Sequence, residues 1–213
     1  ELKNLLDPLP IEGRVVTADA LHTQRETARY LVEEKKAHYL FTVKGNQPTL
    51  QKEIADWLWS ASPPEHETVD KGHGRLEERA IWTSTALNDY LDFPHVGQVF
   101  CVRRRTHDLK KQRCRQEIIY GITALSPEQA TPERLLQLNR GHWSVENRSH
   151  YVRDVTFDED RSQIRTQNAP QTMACLRNFA IGLLRVVRKA SNIAAELREL
   201  AAKPHRTLQL LGL

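Results

Sequence analysis

Apolar and polar positions change period several times along this chain, and each change marks an element. Residues 15–20, Val-Val-Thr-Ala-Asp-Ala, form a β-branched run that predicts a short buried strand delivering Asp19 at its end. The segment 24–36 repeats apolar residues at Ala28, Leu31 and Val32 with helical spacing, and Thr23 followed by Glu26 three residues on predicts a capped start. Residues 39–43 predict a second strand, after which Lys44-Gly45-Asn46-Gln47-Pro48 turns the chain into a helix over 49–58. Strand, helix, strand, helix is the mark of a parallel sheet covered by helices, with the Asp19 strand central in it.

From residue 60 the pattern changes. Pro63-Pro64 and Gly72-His73-Gly74 punctuate it, and short apolar runs at 80–83, 99–102 and 117–123 predict antiparallel β structure. Thr131-Pro132-Glu133 starts a new helix, with Thr as cap and Pro at the first helical position; it carries Leu135, Leu136, Leu138 and Glu146. Residues 170–190 repeat Met173, Leu176, Ala180, Leu183, Leu184 and Val187 as an amphipathic helix expected to pack on the sheet. A last helix over 194–202 precedes a short tail. The organisation expected is therefore a core part over 1–59, a β-rich part over 60–130 and a helical part over 131–213. Asp7-Pro8-Leu9-Pro10 stops helix and forces an extended lead-in, so the fold is expected to begin upstream of residue 1.

Composition narrows the classes of partner. At 213 residues and 39% apolar content the chain suffices for a globular core, and a net charge of +4 favours a polyanionic partner because the excess is local. Three cysteines, Cys101, Cys114 and Cys175, offer neither an even count nor a Cys-x-x-Cys spacing, which argues against a disulfide framework and for a reducing, cytoplasmic compartment. The most apolar helical stretch, 174–187, is broken by Arg177 and Arg185 and is too short to span a bilayer, so no membrane is expected.

Candidate chemistry falls in three places. Asp19 ends an apolar strand, where carboxylates of open α/β sheets face the ligand crevice; a turn or cap Asp is the plainer reading. His142, Glu146, His150 and Asp154 lie four residues apart on one helix face, either a solvated stripe or a metal and phosphate site. The same stripe, His142, Glu146 and His150, also admits a zinc-hydrolase reading, though without the His-Glu-x-x-His spacing. Phe157-Asp158-Glu159-Asp160 reads as a solvated acidic turn. Arg103, Arg104, Arg105, Lys110, Lys111, Arg113 and Arg115 flank a hairpin tip, where they either solvate the strands or neutralise phosphates. Trp143 is suited to core packing or to stacking on an unpaired base.

Five ordered blocks give these segments a family resemblance: Thr17-Ala18-Asp19-Ala20 with Gln24; Lys44-Gly45-Asn46-Gln47-Pro48; Gly74-Arg75-x-Glu77-x-Arg79; Arg140-Gly141-His142-Trp143-x-x-Glu146-Asn147; and Asp154-x-x-Phe157-x-Glu159-Asp160. Together they resemble the DDE transposases of bacterial insertion sequences, in the group that includes the H-repeat-associated proteins. The resemblance implies an α/β fold: a partial ribonuclease H-like core, an antiparallel β insertion and C-terminal helices. It implies Asp19 as the second catalytic Asp and Glu146 as the Glu, both holding Mg2+, with Mn2+ as a substitute. DNA, as transposon ends and target, is the implied partner, contacted by Lys44, Asn46, Gln47, Arg75, Arg140, His142 and Trp143 besides the hairpin cations. A homodimer in the active complex, and association with the nucleoid when DNA is bound, follow from paired-end cutting. The family's first Asp has no counterpart among Glu1, Asp7 and Glu12, so the chain is expected to be truncated and inactive alone; a non-catalytic DNA-binding remnant is the alternative.

Overall fold

The computed structural model describes residues 2–57, 62–72, 74–145 and 150–212. Two compact units divide the chain, residues 1–142 and 143–213. In the first, helix α1 (Leu2–Leu6) precedes strand β1 (Val15–Ala18), a 3-10 turn (Ala20–His22), helix α2 (Arg25–Arg29) continued by a π turn (Tyr30–Glu34), strand β2 (His38–Val43) and helix α3 (Pro48–Ala55). Strands β3 (His66–Gly72), β4 (Arg75–Ser84), β5 (Gln98–Asp108) and β6 (Arg113–Thr123) follow, and then helix α4 (Pro132–Val145), whose residues up to His142 belong to this unit.

All six strands form one mixed sheet in the order β1-β2-β6-β5-β4-β3. The pair β1 and β2 is parallel, as the strand-helix-strand pattern requires; every other pair is antiparallel. Because β6 pairs with β2 through Leu40↔Thr123 to Val43↔Tyr120, the β-rich stretch extends the same sheet. Strand alternation divides the core into two layers. Ala18, Tyr39, Phe41, Val43, Val99, Cys101 and Ile122 face one way, against Ala28 and Leu31 of the α2 segment and Leu50 and Ile54 of α3. Burial there pushes the Cys101 thiol up to about 12, leaving it protonated and inert. On the other face Leu40, Ile81, Phe100 and Val102 pack against Leu135 and Leu136 of α4.

Several expectations change on contact with the structure. Strand β1, expected to be central, is an edge strand among the described residues, paired with β2 alone, because the β-rich stretch adds its strands on the far side of β2. Thr23 does not cap α2: Gln24 occupies the cap position without a side-chain bond, and Thr23, fully buried, donates instead to the carbonyl of Thr42 at 2.8 Å. Strand β3 was not foreseen, because its sequence His-Glu-Thr-Val-Asp-Lys-Gly carries one apolar side chain that an edge strand can leave exposed. In the second unit, helix α5 (Ala169–Val186) buries Leu184 of the foreseen stripe together with Ile181, leaves Met173, Ala180 and Leu183 half-buried, and leaves Leu176 and the following Val187 exposed. Its buried side chains meet Val152, and Ile193 and Leu200 of helix α6 (Ile193–Ala202), in a cluster containing no sheet residue. Helix α7 (Pro204–Leu210) lies in the segment read as a tail.

The candidate catalytic face

Asp19 follows β1 directly, with φ −74° and ψ 176°, so its extended backbone continues the strand's alternation. That parity puts it with Val15 and Thr17, on the face that packs against α4. Its side chain is exposed, caps nothing, and meets no hydrogen-bond donor or cation among the described residues. An apolar strand thus delivers an uncommitted carboxylate to the carboxyl edge of a parallel pair, the place where α/β sheets bind ligands.

The turn after Asp19 is tightly fastened. Thr23 Oγ1 donates to Thr42 O, Gln47 Nε2 donates to Thr23 O at 2.9 Å, and Asn46 Nδ2 donates to Ala20 O. Asn46 and Gln47, expected at DNA, therefore spend amide donors on positioning this turn, while Lys44 stands exposed at the end of β2. Asp7 stays out of the site, since its Oδ1 accepts the Tyr30 hydroxyl at 2.6 Å.

Helix α4 reaches the same strand. Thr131 Oγ1 accepts the Arg134 N–H at 3.3 Å, as its capping pattern predicts. Eleven residues after Thr131, the His142 ring Nδ1 lies 3.3 Å from Thr17 Oγ1, two positions before Asp19. Arg140 Nη1 meets Asp70 Oδ2 of β3 at 2.8 Å. Glu146 lies outside the described residues, and so does its distance from Asp19. His150 is exposed and belongs to the second unit. No group of three or more metal-ligating side chains occurs among the described residues, which exclude Glu146. Trp143 is partly exposed.

The seven hairpin cations separate into two sorts. Arg104 is built into an ion ladder: Nη2 meets Glu77 Oε1 at 2.9 Å and Nη1 meets Glu117 Oε2 at 3.8 Å, while Arg79 joins Glu77 to Asp70. Burial alone would raise the Glu77 carboxyl, yet bonds and charge from Arg104 and Arg79 hold it below its usual value. Arg103 lies over the Trp82 ring, 5.1 Å from its centroid, and Arg105 Nε donates to Gln116 at 2.9 Å. Lys110, Lys111, Arg113 and Arg115 are exposed at the tip, as is Arg75 opposite Asp108. Backbone N–H groups of Lys111 and Lys110 hold Asp108 below the usual carboxylate range and so shape the tip.

The acidic turn is also a structural joint. Glu159 accepts Arg153 Nε and Nη2 at 2.5 and 2.8 Å and Arg177 Nη1 at 3.3 Å. Sequence reading quoted Thr17 and Glu159 without their partners and did not single out Asp70; the Thr17–His142, Asp70–Arg140 and Glu159–Arg177 contacts join residues distant in the chain.

A mixed α/β sheet with an acid at the end of its parallel strand, crossed by a later helix, is compatible with the ribonuclease H-like core of phosphoryl-transfer enzymes. The description "Transposase DDE domain" matches residues 1–183, and the chain belongs to this DDE transposase family. It is 30% identical over 192 residues to the "H repeat-associated putative transposase YhhI" of Escherichia coli K12, covering 86% of this chain and 50% of that protein. The "Putative protein YbfL" of the same strain is similar to the same extent, 30% over 192 residues with the same coverages. The "Putative transposase YncI" of Escherichia coli O157:H7 is 29% identical over 193 residues, covering 87% of this chain and 48% of that one. The chain spans about half the length of these curated relatives.

Proposed function

We propose that this chain carries the Asp19 and Glu146 portion of the catalytic centre of a DDE transposase that cleaves DNA and transfers strands of an insertion sequence. The observation that carries the reading is the exposed Asp19 carboxylate at the end of β1, without a partner among the described residues, with α4 tied through His142 to Thr17 on the same strand. Glu146 follows His142 by four positions in sequence, and membership of the DDE family supports reading it as the catalytic Glu. In functional terms residues 1–59 are the first part of the core, 60–130 the β insertion and 131–213 the helical part with Glu146.

The donor set, carboxylate oxygens, suits Mg2+, with Mn2+ accepting the same ligands. Such ions, when bound, supply Lewis-acid stabilisation of charge at phosphorus. The chain's own residues do the rest. Asn46, Gln47 and Thr23 hold the turn that aims Asp19, and His142 fixes α4 against β1. Lys44 grips phosphate near the cut together with the guanidinium N–H groups that Arg140 does not direct at Asp70, Trp143 stacks on an unpaired base, and Arg75, Lys110, Lys111, Arg113 and Arg115 neutralise phosphates along the arm. A homodimer provides two such centres for paired ends, acting on chromosomal DNA in the cytoplasm.

The test is metal-dependent nicking of insertion-end DNA by the full-length protein. Asp19→Asn and Glu146→Gln are each expected to reduce it at least about a hundredfold, since losing a ligand exceeds the cost of losing a ligand's support. DNA affinity should hardly change. Undiminished nicking in either variant would remove that residue from the centre.

A further inference from the structure

Helix α4 touches both edges of the sheet. In a flat six-stranded sheet the edge strands lie roughly 24 Å apart, so one helix meeting β1 through His142 and β3 through Arg140 requires the sheet to curl round it. Arg140 and His142 are separated by about 200° around the helix axis. Their contacts therefore pull on opposite sides, and the two together fix the helix's rotation where either alone would let it rock.

The end of α4 depends on these contacts because apolar packing gives out before it. Leu135 and Leu136 are buried and Leu138 packs beside them, but residues 139–142 are Asn, Arg, Gly and His. Gly141 weakens the last turn further, since glycine is among the poorest helix formers. Asp70, in turn, is anchored. Its Oδ2 receives Arg79 Nη1 at 2.9 Å as well as Arg140, and Arg79 is clamped by Glu77, which holds Arg104. An alternating row of charge runs from Glu117 on β6 across β5, β4 and β3 to α4.

We infer that the Arg140–Asp70 ion pair is a positioning latch, which sets the register of residues 139–142 of α4 against β1 from the opposite edge of the sheet. Asp70 is accordingly a positioning residue for the proposed reaction, acting through Arg140; this rests on the catalytic reading above. Both partners are about half exposed, which limits the bias to about fivefold in the population of the productive register.

The experiment compares full-length wild type, Asp70→Asn, Arg140→Gln and the double variant. One readout is amide hydrogen exchange at residues 139–142; the other is the rate of metal-dependent nicking at saturating insertion-end DNA. Asp70→Asn is expected to speed exchange at 139–142 and slow nicking, each about fivefold. In the Arg140→Gln background the same change should add less than about twofold, the mark of two residues acting as one unit. Equal loss in both backgrounds would mean that Asp70 merely supports β3 through Arg79, and unchanged exchange at 139–142 would mean that no latch exists; either overturns the inference. If wild type fails to nick, or nicks undiminished with Asp19→Asn, the catalytic reading fails instead, while the exchange measurement still decides whether the latch is there.

Discussion

Thr23 separates two accounts of how Asp19 is aimed. As a helix cap it would sit at the surface; instead it is fully buried, donating to Thr42 O at 2.8 Å and receiving Gln47 Nε2 on its own carbonyl at 2.9 Å. Thr23→Val keeps the shape but removes the donor and leaves the part-buried Thr42 carbonyl without it, at a cost of about 1–3 kcal/mol. For a chain of this size that corresponds to a fall in Tm of roughly 2–4 °C per kcal/mol. Thr23→Ser keeps the bond and loses one methyl, about 1 kcal/mol. Thr23→Asp discriminates most sharply. A cap position would accept Asp without loss, whereas an uncompensated buried carboxylate costs at least about 3 kcal/mol. Thermal and urea unfolding followed by circular dichroism measures all three. If Thr23→Asp matches wild type, or Thr23→Val lies within about 0.5 kcal/mol of it, the tie to β2 does not hold the turn.

A Cβ on Gly121 would stand 2.1 Å from Phe100 Cζ, so Gly121→Ala should cost at least about 1–3 kcal/mol through overpacking, and Phe100→Leu in the same chain should recover part of it in a urea titration. Replacing Lys110, Lys111 and Arg113 together by Ala should flatten the slope of log affinity for DNA against log salt by about two to three, with no change in Tm; an unchanged slope would move DNA to another surface. Arg104→Ala should instead lower stability, because it leaves Glu77 with Arg79 alone to offset its burial. Arg153's hydrogen bonds, opposed by burial and aided by Arg177, hold the Glu159 carboxyl below its usual 4.5. A depressed carboxylate contributes stability above its unfolded value that is lost as pH falls through its folded value, so the second unit should weaken below about pH 4.5. Glu159→Gln should remove that part of the pH dependence in urea midpoints.

Local patterns were readable where burial is local. The β1–α2–β2–α3 order, the Thr131 cap and the apolar runs of β4, β5 and β6 all appear in the sequence as period or punctuation. What stayed hidden depends on pairing at a distance. Strand β3 is nearly all polar and is fixed by its seven-residue register with β4, which no property of His66–Gly72 announces. The basic cluster looked uniform, yet alternation and cross-strand partners send Arg104 into a ladder with Glu77 and Glu117 while the tip cations remain exposed. Asp19 and the turn motif Lys44-Gly45-Asn46-Gln47-Pro48 were legible as a pair of segments; that Asn46 and Gln47 serve the Asp19 turn required the fold.

The continuity of the sheet sets a length for the DNA contact. Strand β6 pairs with β2 near Thr42↔Gly121 and runs to Arg113 at the tip, eight residues or roughly 26 Å at ~3.3 Å per residue. Asp19 lies at the β2 end of that span, since Ala18 pairs with Phe41. A curled sheet shortens the direct path, so the tip and Asp19 are separated by at most about one turn of duplex, ~34 Å. DNA held by Lys110, Lys111 and Arg113 while its scissile phosphate meets Asp19 should therefore be gripped within about ten base pairs of the cut. Hydroxyl-radical footprinting of insertion-end DNA tests this: the triple Ala variant should lose protection inside that window and keep it elsewhere. Protection lost only beyond about fifteen base pairs would mean that the arm and Asp19 engage different duplexes, with the arm reaching across to the second end.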